Sequence, residues 1–251
     1  MEIRYMRHYS GHLGREMEFK VYGHTGKPVM FIPCQSGRFF DFENFKMIDY
    51  WAQWIEEGRC TVYSIDCIDD EAWAALGADN RWRIENHERW YNYVCEEMVP
   101  TIRHLSGERN GYDQKILTFG CSMGAMHAAN LFFRRPDLFC GTFAISGLYD
   151  EGMFFPNYMD DLVYNNCPIR YLANMPEDHP YISMYNQSKI LIVVGQGDWE
   201  GPLLDSTRRL DTVCAQKGIH ARFEYWGLDV AHDWPWWFKM VQHYVPLLLN
   251  D

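Results

Sequence analysis

The chain has 251 residues, which is enough for a single α/β domain with a sizeable hydrophobic core. Its net charge is −11 and it has no block of basic residues, so nucleic acid and anionic membrane surfaces are not expected partners. No stretch is long and apolar enough to cross a membrane, and residues 1–12 lack the apolar core of a signal peptide.

The eight cysteines form no Cys-x-x-Cys pair. In a chain of this length without a secretion signal, they are expected to be reduced and mostly buried thiols. The sequence therefore predicts a cytoplasmic protein without disulfides. The cysteines are Cys34, Cys60, Cys67, Cys95, Cys121, Cys140, Cys167 and Cys214.

Alternating polar and apolar residues predict two strands near the start, over residues 2–10 and 15–22, joined by a Gly-containing turn. After them, strand-like and helix-like segments alternate along the chain. Short apolar or β-prone runs predict strands at 29–32, 61–65, 115–119, 139–145, 189–194 and 221–225. Apolar residues at helical spacing predict helices at 44–57, 85–105, 123–134, 203–217 and 234–249, with a bend near Pro100.

This alternation predicts an α/β fold with a mostly parallel central sheet, opened by an antiparallel pair and covered by helices on both faces. Ligands of such sheets bind at the carboxyl ends of the strands. Residues 66–83 are acidic but lack the ligand spacing of a calcium loop, so a solvated loop is expected there and no metal site. Residues 148–188 are irregular and too long for a plain loop, which predicts a cap or lid inserted into one domain spanning 1–251.

Residues 120–124 read Gly-Cys-Ser-Met-Gly and connect a predicted strand to a predicted helix. This layout is typical of a nucleophile elbow, in which a strained turn lifts a serine hydroxyl above the sheet edge. Glycines two residues before and after the serine avoid collisions with the strand and the helix. Ser122 is therefore the predicted nucleophile, at a helix N-terminus that favours developing negative charge.

A serine nucleophile needs a base, and the base needs a carboxylate that holds its tautomer. His232 follows the last predicted strand and is the strongest base candidate. Asp198 follows the strand before it, which gives the chain order Ser…Asp…His. Glu200 is the fallback acid and is otherwise expected to face substrate or cap, whereas Asp205 is expected to be structural in the first turn of the next helix.

An oxyanion hole needs two preorganised N–H donors. The amide of Met123, directly after the nucleophile, is the first predicted donor. The loop after the strand at 29–32 should supply the second, and its position points to the amide of Gln35.

Three segments resemble the esterase D / putative esterase family of α/β-hydrolases: Gly120–Gly124, Phe133–Phe139 and Ala144–Asp150. That family includes S-formylglutathione hydrolases, feruloyl and acetyl xylan esterases and the mycolyltransferases. The resemblance covers nearly the whole chain and implies the α/β-hydrolase fold and serine hydrolase chemistry on esters or thioesters, without a cofactor. Two departures are Cys121, where the family often has His, and residues 33–37, which replace the His-Gly oxyanion motif.

Aromatic residues near the predicted site are candidates for substrate-binding walls. Cys34 and Cys121 are expected to pack as small apolar groups, and His127 to be a satisfied structural histidine. The predicted substrate-binding residues are Phe39, Phe40, Trp199, Glu200 and Trp234.

The sequence thus predicts a serine carboxylesterase that hydrolyses a small or aromatic acyl ester or thioester through an acyl-enzyme. An acyltransferase using the same triad is the alternative, and a non-catalytic hydrolase-like binding protein is a third interpretation. The expected partner is a small-molecule ester. Whether the chain forms a homo-oligomer is left open.

Overall fold

An eight-stranded sheet forms the centre of the structure, which is a computed structural model describing residues 1–250. The strands are β1 (Ile3–Ser10), β2 (Arg15–Tyr22), β3 (Lys27–Ile32), β4 (Cys60–Ile65), β5 (Ile116–Cys121), β6 (Phe139–Ile145), β7 (Lys189–Val194) and β8 (Arg222–Tyr225). They lie in the order β1-β2-β4-β3-β5-β6-β7-β8. β2 runs antiparallel to β1 and β4, and every other neighbouring pair is parallel. The predicted antiparallel opening and mostly parallel sheet are confirmed.

The helices follow the predicted positions closely. They are α1 (Asp41–Asn44), α2 (Met47–Glu56), α3 (Asn80–Tyr93), α4 (Val99–Asn110), α5 (Met123–Arg134), α6 (Asp161–Asn165), α7 (Pro168–Ala173), α8 (Pro180–Asn186), α9 (Gly201–Gln216) and α10 (Trp234–Leu249). α3 begins five residues before the predicted 85, because the Asp79 carboxylate caps it by accepting from the Trp82 N–H at 2.9 Å.

A π-helical turn at Val94–Met98 joins α3 to α4 and ends two residues before Pro100. Proline has no N–H and its ring crowds the carbonyl four residues earlier, so a widened turn accommodates it. The irregularity expected near Pro100 therefore takes the form of a π turn. The turn presents Glu96 to the His12 ring at 2.9 Å and Glu97 to the Gly11 N–H at 2.9 Å.

Side chains of each strand alternate between two hydrophobic cores, one on each face of the sheet. In β3, Met30 and Ile32 face the core beneath α3, α4, α5 and α9, whereas Val29 and Phe31 face the core beneath α2 and α10. Helices therefore cover both faces, as predicted.

The segment 148–188 contains the three short helices α6, α7 and α8. Several of its side chains are buried in the core on the α5 side, so the segment is packed onto the domain. Its role as a cap stays a prediction. These buried side chains are Tyr149, Phe155, Val163, Leu172 and Tyr185.

The expectation of a solvated acidic loop after β4 is wrong for two of its residues. Asp66 and Asp69 are buried, and each has a partner that offsets the cost of burial. Asp66 accepts from the Arg38 guanidinium at 2.7 Å, and Asp69 contacts the His127 ring at 2.9 Å. Within residues 1–250, no three His, Cys, Asp or Glu side chains are grouped so as to hold a metal ion.

All eight cysteines are free thiols, as the sequence predicts. No helix in the described range 1–250 has both the length and the apolar character needed to cross a membrane.

Candidate active site

Ser122 occupies a strained turn between β5 and α5, with φ of 57° and ψ of −125°. The flanking glycines are required by close backbone approaches. A Cβ on Gly120 would lie 2.3 Å from the Gly124 carbonyl, and a Cβ on Gly124 would lie 2.2 Å from the Ile32 carbonyl oxygen. The Ser122 N–H donates to the Ile145 carbonyl at 2.9 Å, which ties the turn to β6. The geometry is that of a nucleophile elbow.

His232 reaches Ser122 from the loop between β8 and α10. Its Nε2 lies 2.9 Å from Ser122 Oγ, within hydrogen-bond distance. The loop is held in place because the His232 N–H donates to the Asp198 carbonyl at 2.9 Å. The structure therefore brings together the two residues that the sequence predicts as nucleophile and base.

The carboxylate beside His232 belongs to Glu200. Its Oε2 lies 3.4 Å from His232 Nδ1, and its Oε1 accepts a hydrogen bond from Ser146 Oγ at 2.5 Å. Glu200 is completely buried, with 0% of its side chain exposed. A buried carboxylate in this position can hold the imidazole in one orientation and stabilise its cation.

The prediction of Asp198 as the orienting acid is corrected by this geometry. Asp198 is exposed, and it contacts His232 through its backbone carbonyl. The prediction assumed an extended loop that carries Glu200 outward. Instead the Glu200 N–H donates to the Gly197 carbonyl at 3.3 Å, and Trp199 adopts a positive φ of 68°. This tight turn reverses the chain and directs Glu200 inward. Asp205 is exposed and lies 3.7 Å from Arg208 on α9.

Trp237 also contacts the site, and sequence reasoning missed it. Its ring meets the His232 imidazole edge to face, and its Nε1 donates to Ser146 Oγ at 3.3 Å. The run of aromatic residues at 234–238 was the available signal, but helical phase decides which of them faces inward. Ser146 gave no such signal, because its partner lies 54 residues away.

Met123 is the first residue of α5, so its N–H has no partner within the helix. Gln35 lies in a turn closed by a hydrogen bond of 2.8 Å from the Gly37 N–H to the Cys34 carbonyl. This turn follows β3, which packs directly against Gly124 of the elbow. Both residues stay the predicted oxyanion donors.

The two thiols near the elbow do not have the character of nucleophiles. Cys121 is fully buried. Its pKa lies well above the ordinary thiol value, mainly because of burial and to a smaller extent because of the nearby Cys34 and Glu200. The pKa of Cys34 is also raised, mainly by burial and to a smaller extent by the negative charges of Asp41 and Asp69. Both groups stay protonated at neutral pH, and a protonated thiol is a poor nucleophile.

The predicted aromatic walls lie in different environments. Phe39 is buried and packs against Tyr5 and the half-buried Phe40, with ring centroids 5.8 and 5.1 Å away. Trp234 stacks on Phe45 at 4.7 Å. Trp199 projects outward and is 85% exposed. Their contacts with substrate stay predictions.

His127 lies on α5 and pairs with Asp69, while its ring stacks on the buried His87 at 5.1 Å. Both contacts lie inside the domain. This is the environment of a satisfied structural histidine, the role that the sequence predicts.

The sheet order and the elbow define the chain as an α/β-hydrolase. Three similar solved structures share this fold. A ferulic acid esterase has a TM-score of 0.75 and 15% identity, covering 99% of this chain and 97% of that one. S-formylglutathione hydrolase FrmB from Staphylococcus aureus has a TM-score of 0.66 and 14% identity, covering 99% and 97%. MPT51 of Mycobacterium tuberculosis has a TM-score of 0.70 and 12% identity, covering 99% and 98%.

Residues 10–243 match the model of the family described as Putative esterase. The chain belongs to this family, as its sequence resemblance predicts, and it is a carboxylic ester hydrolase. Comparison with curated proteins by sequence gives no match.

Proposed function

We propose that the protein is a serine carboxylesterase that works through an acyl-enzyme, with Ser122 as nucleophile, His232 as general base and Glu200 as the orienting acid. The observation that carries the proposal is the 2.9 Å contact between Ser122 Oγ and His232 Nε2, at a strained elbow. A serine hydroxyl becomes an effective nucleophile when a neutral imidazole can take its proton as it attacks.

In the first half-reaction, Ser122 Oγ attacks the ester carbonyl carbon while its proton moves to His232 Nε2. The negative charge on the carbonyl oxygen is stabilised by the amides of Met123 and Gln35. The imidazolium forms beside the buried Glu200 carboxylate, which offsets its positive charge. The tetrahedral intermediate then collapses, and the alcohol leaves with the proton that His232 returns to it.

In the second half-reaction, His232 Nε2 takes a proton from water, and the hydroxide attacks the acyl carbon of the Ser122 ester. Collapse of the second intermediate releases the acid and returns the proton to Ser122 Oγ. An alcohol acceptor in place of water would give acyl transfer, so product analysis in the presence of added alcohols separates hydrolysis from transfer.

The proposed substrate is a small-molecule ester with a compact or aromatic acyl group. Support comes from the aromatic residues on the loops after β3 and β7, Phe40 and Trp199 among them. Faster turnover of dodecanoyl esters than of acetyl or butanoyl esters would contradict this preference.

The proposed location is the cytoplasm, where eight free thiols would remain reduced.

A fluorophosphonate probe tests the nucleophile, because it reacts with activated serines. We expect stoichiometric labelling at Ser122, together with turnover of p-nitrophenyl acetate or butanoate. Labelling of Cys121 or Cys34, or no labelling of a folded protein, would contradict the proposal.

A further inference from the structure

A chain of hydrogen bonds continues behind Glu200, and the chemistry of its members fixes its direction. Trp237 Nε1 lies 3.3 Å from Ser146 Oγ, which lies 2.5 Å from Glu200 Oε1. An indole N–H can only donate and an ionised carboxylate can only accept, whereas a hydroxyl can do both. Trp237 therefore donates to Ser146, and Ser146 donates to Glu200.

The same reasoning extends to the catalytic end of the chain. In the proposed mechanism Glu200 acts as a carboxylate, which can only accept, so the proton in its contact with His232 lies on Nδ1. The neutral imidazole then carries a lone pair on Nε2, which faces the Ser122 hydroxyl. The hydrogen bonds thus run in one direction, from the Trp237 indole to the base that accepts the serine proton.

Glu200 depends on Ser146 more than an exposed carboxylate would. Its side chain is completely buried, and its hydrogen-bond partners within residues 1–250 are Ser146 and His232. It has no ion pair with Lys or Arg in that range. With one oxygen bonded to Ser146, the carboxylate plane is restrained, which keeps Oε2 directed at the imidazole.

The positive φ at Ser146 supports a functional role for its side chain. Ser146 follows the last residue of β6 and has a positive φ of 54°, a conformation that glycine adopts more readily than serine. Its N–H donates to the Val193 carbonyl at 2.7 Å, which holds the backbone between β6 and β7. Glycine would adopt this φ with less strain. We therefore attribute the presence of serine at this position to the hydrogen bond that its hydroxyl donates to Glu200.

We infer that Ser146 is a positioning residue that acts through Glu200 on His232, and that Trp237 orients the Ser146 hydroxyl. The inference rests on the proposed esterase mechanism. In this arrangement Ser146 donates directly to Glu200, and Trp237 donates to Ser146, so both residues support the proposed triad from the far side of Glu200.

The principal test is Ser146→Gly, which removes the hydroxyl and suits the positive φ. We expect kcat for p-nitrophenyl butanoate to fall about 10- to 100-fold, the effect of losing one hydrogen bond to a charged group, with little change in KM. The melting temperature should be unchanged or higher.

Ser206→Ala is the matched control, because Ser206 is also buried and donates to a carboxylate, that of Asp150, at 2.8 Å. It should retain wild-type kcat. A wild-type kcat in Ser146→Gly would overturn the inference, as would an equal loss of kcat in Ser206→Ala.

A double-mutant cycle separates positioning from a general structural effect. In a Glu200→Gln background, Ser146→Gly should lower kcat by less than about twofold further, because the residue through which Ser146 acts has already lost its charge. A full additional loss of 10- to 100-fold would overturn the inference. If Glu200→Gln itself retains wild-type kcat, the proposed triad fails instead, so the two failures are distinguishable.

Trp237→Phe removes the indole N–H and keeps an aromatic ring beside His232. We expect a decrease in kcat of about 2- to 10-fold, in line with one neutral hydrogen bond. Trp226→Phe is the matched control, since it removes an indole N–H that donates to the Tyr244 hydroxyl at 3.0 Å. Equal effects of the two substitutions would contradict a role for Trp237 in orienting Ser146.

Discussion

The ring of Trp237 meets the His232 imidazole edge to face, with centroids 4.9 Å apart and ring planes at 87°. This contact restrains the plane of the imidazole, while Glu200 restrains its rotation from the Nδ1 side. Trp237 lies on α10, directly after the loop that carries His232. His232, the proposed base, is therefore held by a helix of the domain as well as by Glu200, the proposed acid.

Ser122→Ala should abolish ester turnover and leave the fold intact. The elbow backbone remains, but no atom is left to form the acyl-enzyme, so kcat should fall by about 10⁴- to 10⁶-fold. Stopped-flow assays with p-nitrophenyl esters measure the loss, and circular dichroism checks the fold. Residual turnover within tenfold of the wild type would show that another residue is the nucleophile.

Glu200→Gln should lower kcat by about 10³- to 10⁴-fold, because the amide no longer stabilises the imidazolium or fixes the productive tautomer. Asp198→Asn provides the comparison, since the Asp198 side chain is exposed and only its backbone carbonyl binds the His232 loop. It should retain kcat within a few-fold. The reverse ranking would restore Asp198 as the triad acid.

Alkylation of Cys121 should stay slow between pH 7 and 9. Burial raises the pKa of this thiol, so it remains protonated as the pH approaches the ordinary thiol pKa, and the reactive thiolate is scarce. Iodoacetamide labelling followed by peptide mass spectrometry measures the rate. In urea the rate should rise to that of a free cysteine, and rapid labelling of the folded protein at pH 8 would contradict the assignment of an inert thiol.

Gly124→Ala should destabilise the domain by about 3 kcal/mol, because the added Cβ would lie 2.2 Å from the Ile32 carbonyl oxygen and 2.5 Å from that of Pro33. Urea denaturation measures the free energy of unfolding. Gly201→Ala is the matched control. An added Cβ there has open space around it, so stability should change by less than about 1 kcal/mol.

Trp199→Gly should stabilise the protein by about 1 kcal/mol, because glycine adopts the positive φ of 68° without strain. The same change should raise KM if the exposed indole contacts substrate. Trp199→Ala separates the two effects, since it removes the ring and keeps the Cβ. It should raise KM similarly without the gain in melting temperature.

The sequence was informative where local chemistry determines structure. Gly120 and Gly124 flank Ser122 at the spacing that a tight strand-to-helix turn requires, and His232 could be found because it follows the last strand. The carboxylate proposed to orient His232 could not be chosen in this way. The choice between Asp198 and Glu200 depends on a turn whose third residue is a tryptophan with positive φ, a conformation that residue type rarely adopts.

The contacts of Ser146 and Trp237 behind the proposed triad could not be predicted from local sequence, for a different reason. Ser146 meets Glu200 only because β6 and β7 are neighbours in the sheet, and Trp237 reaches Ser146 only because of the helical phase of α10. Both contacts depend on the pairing of distant segments. The burial of Asp66 and Asp69 was missed similarly, since their partners Arg38 and His127 lie far away in sequence.

The π turn at Val94–Met98 sets the rotation of α4 about its axis relative to α3. Buried side chains recur every four residues from Val94 through Met98 and Ile102 to Ser106. Three such steps overshoot an ideal α-helix by about 120°, and the wider turn absorbs part of that rotation. Deleting the exposed Glu96 would therefore restore a regular helix there and remove one of the two glutamates that hold the β1–β2 turn, the other being Glu97.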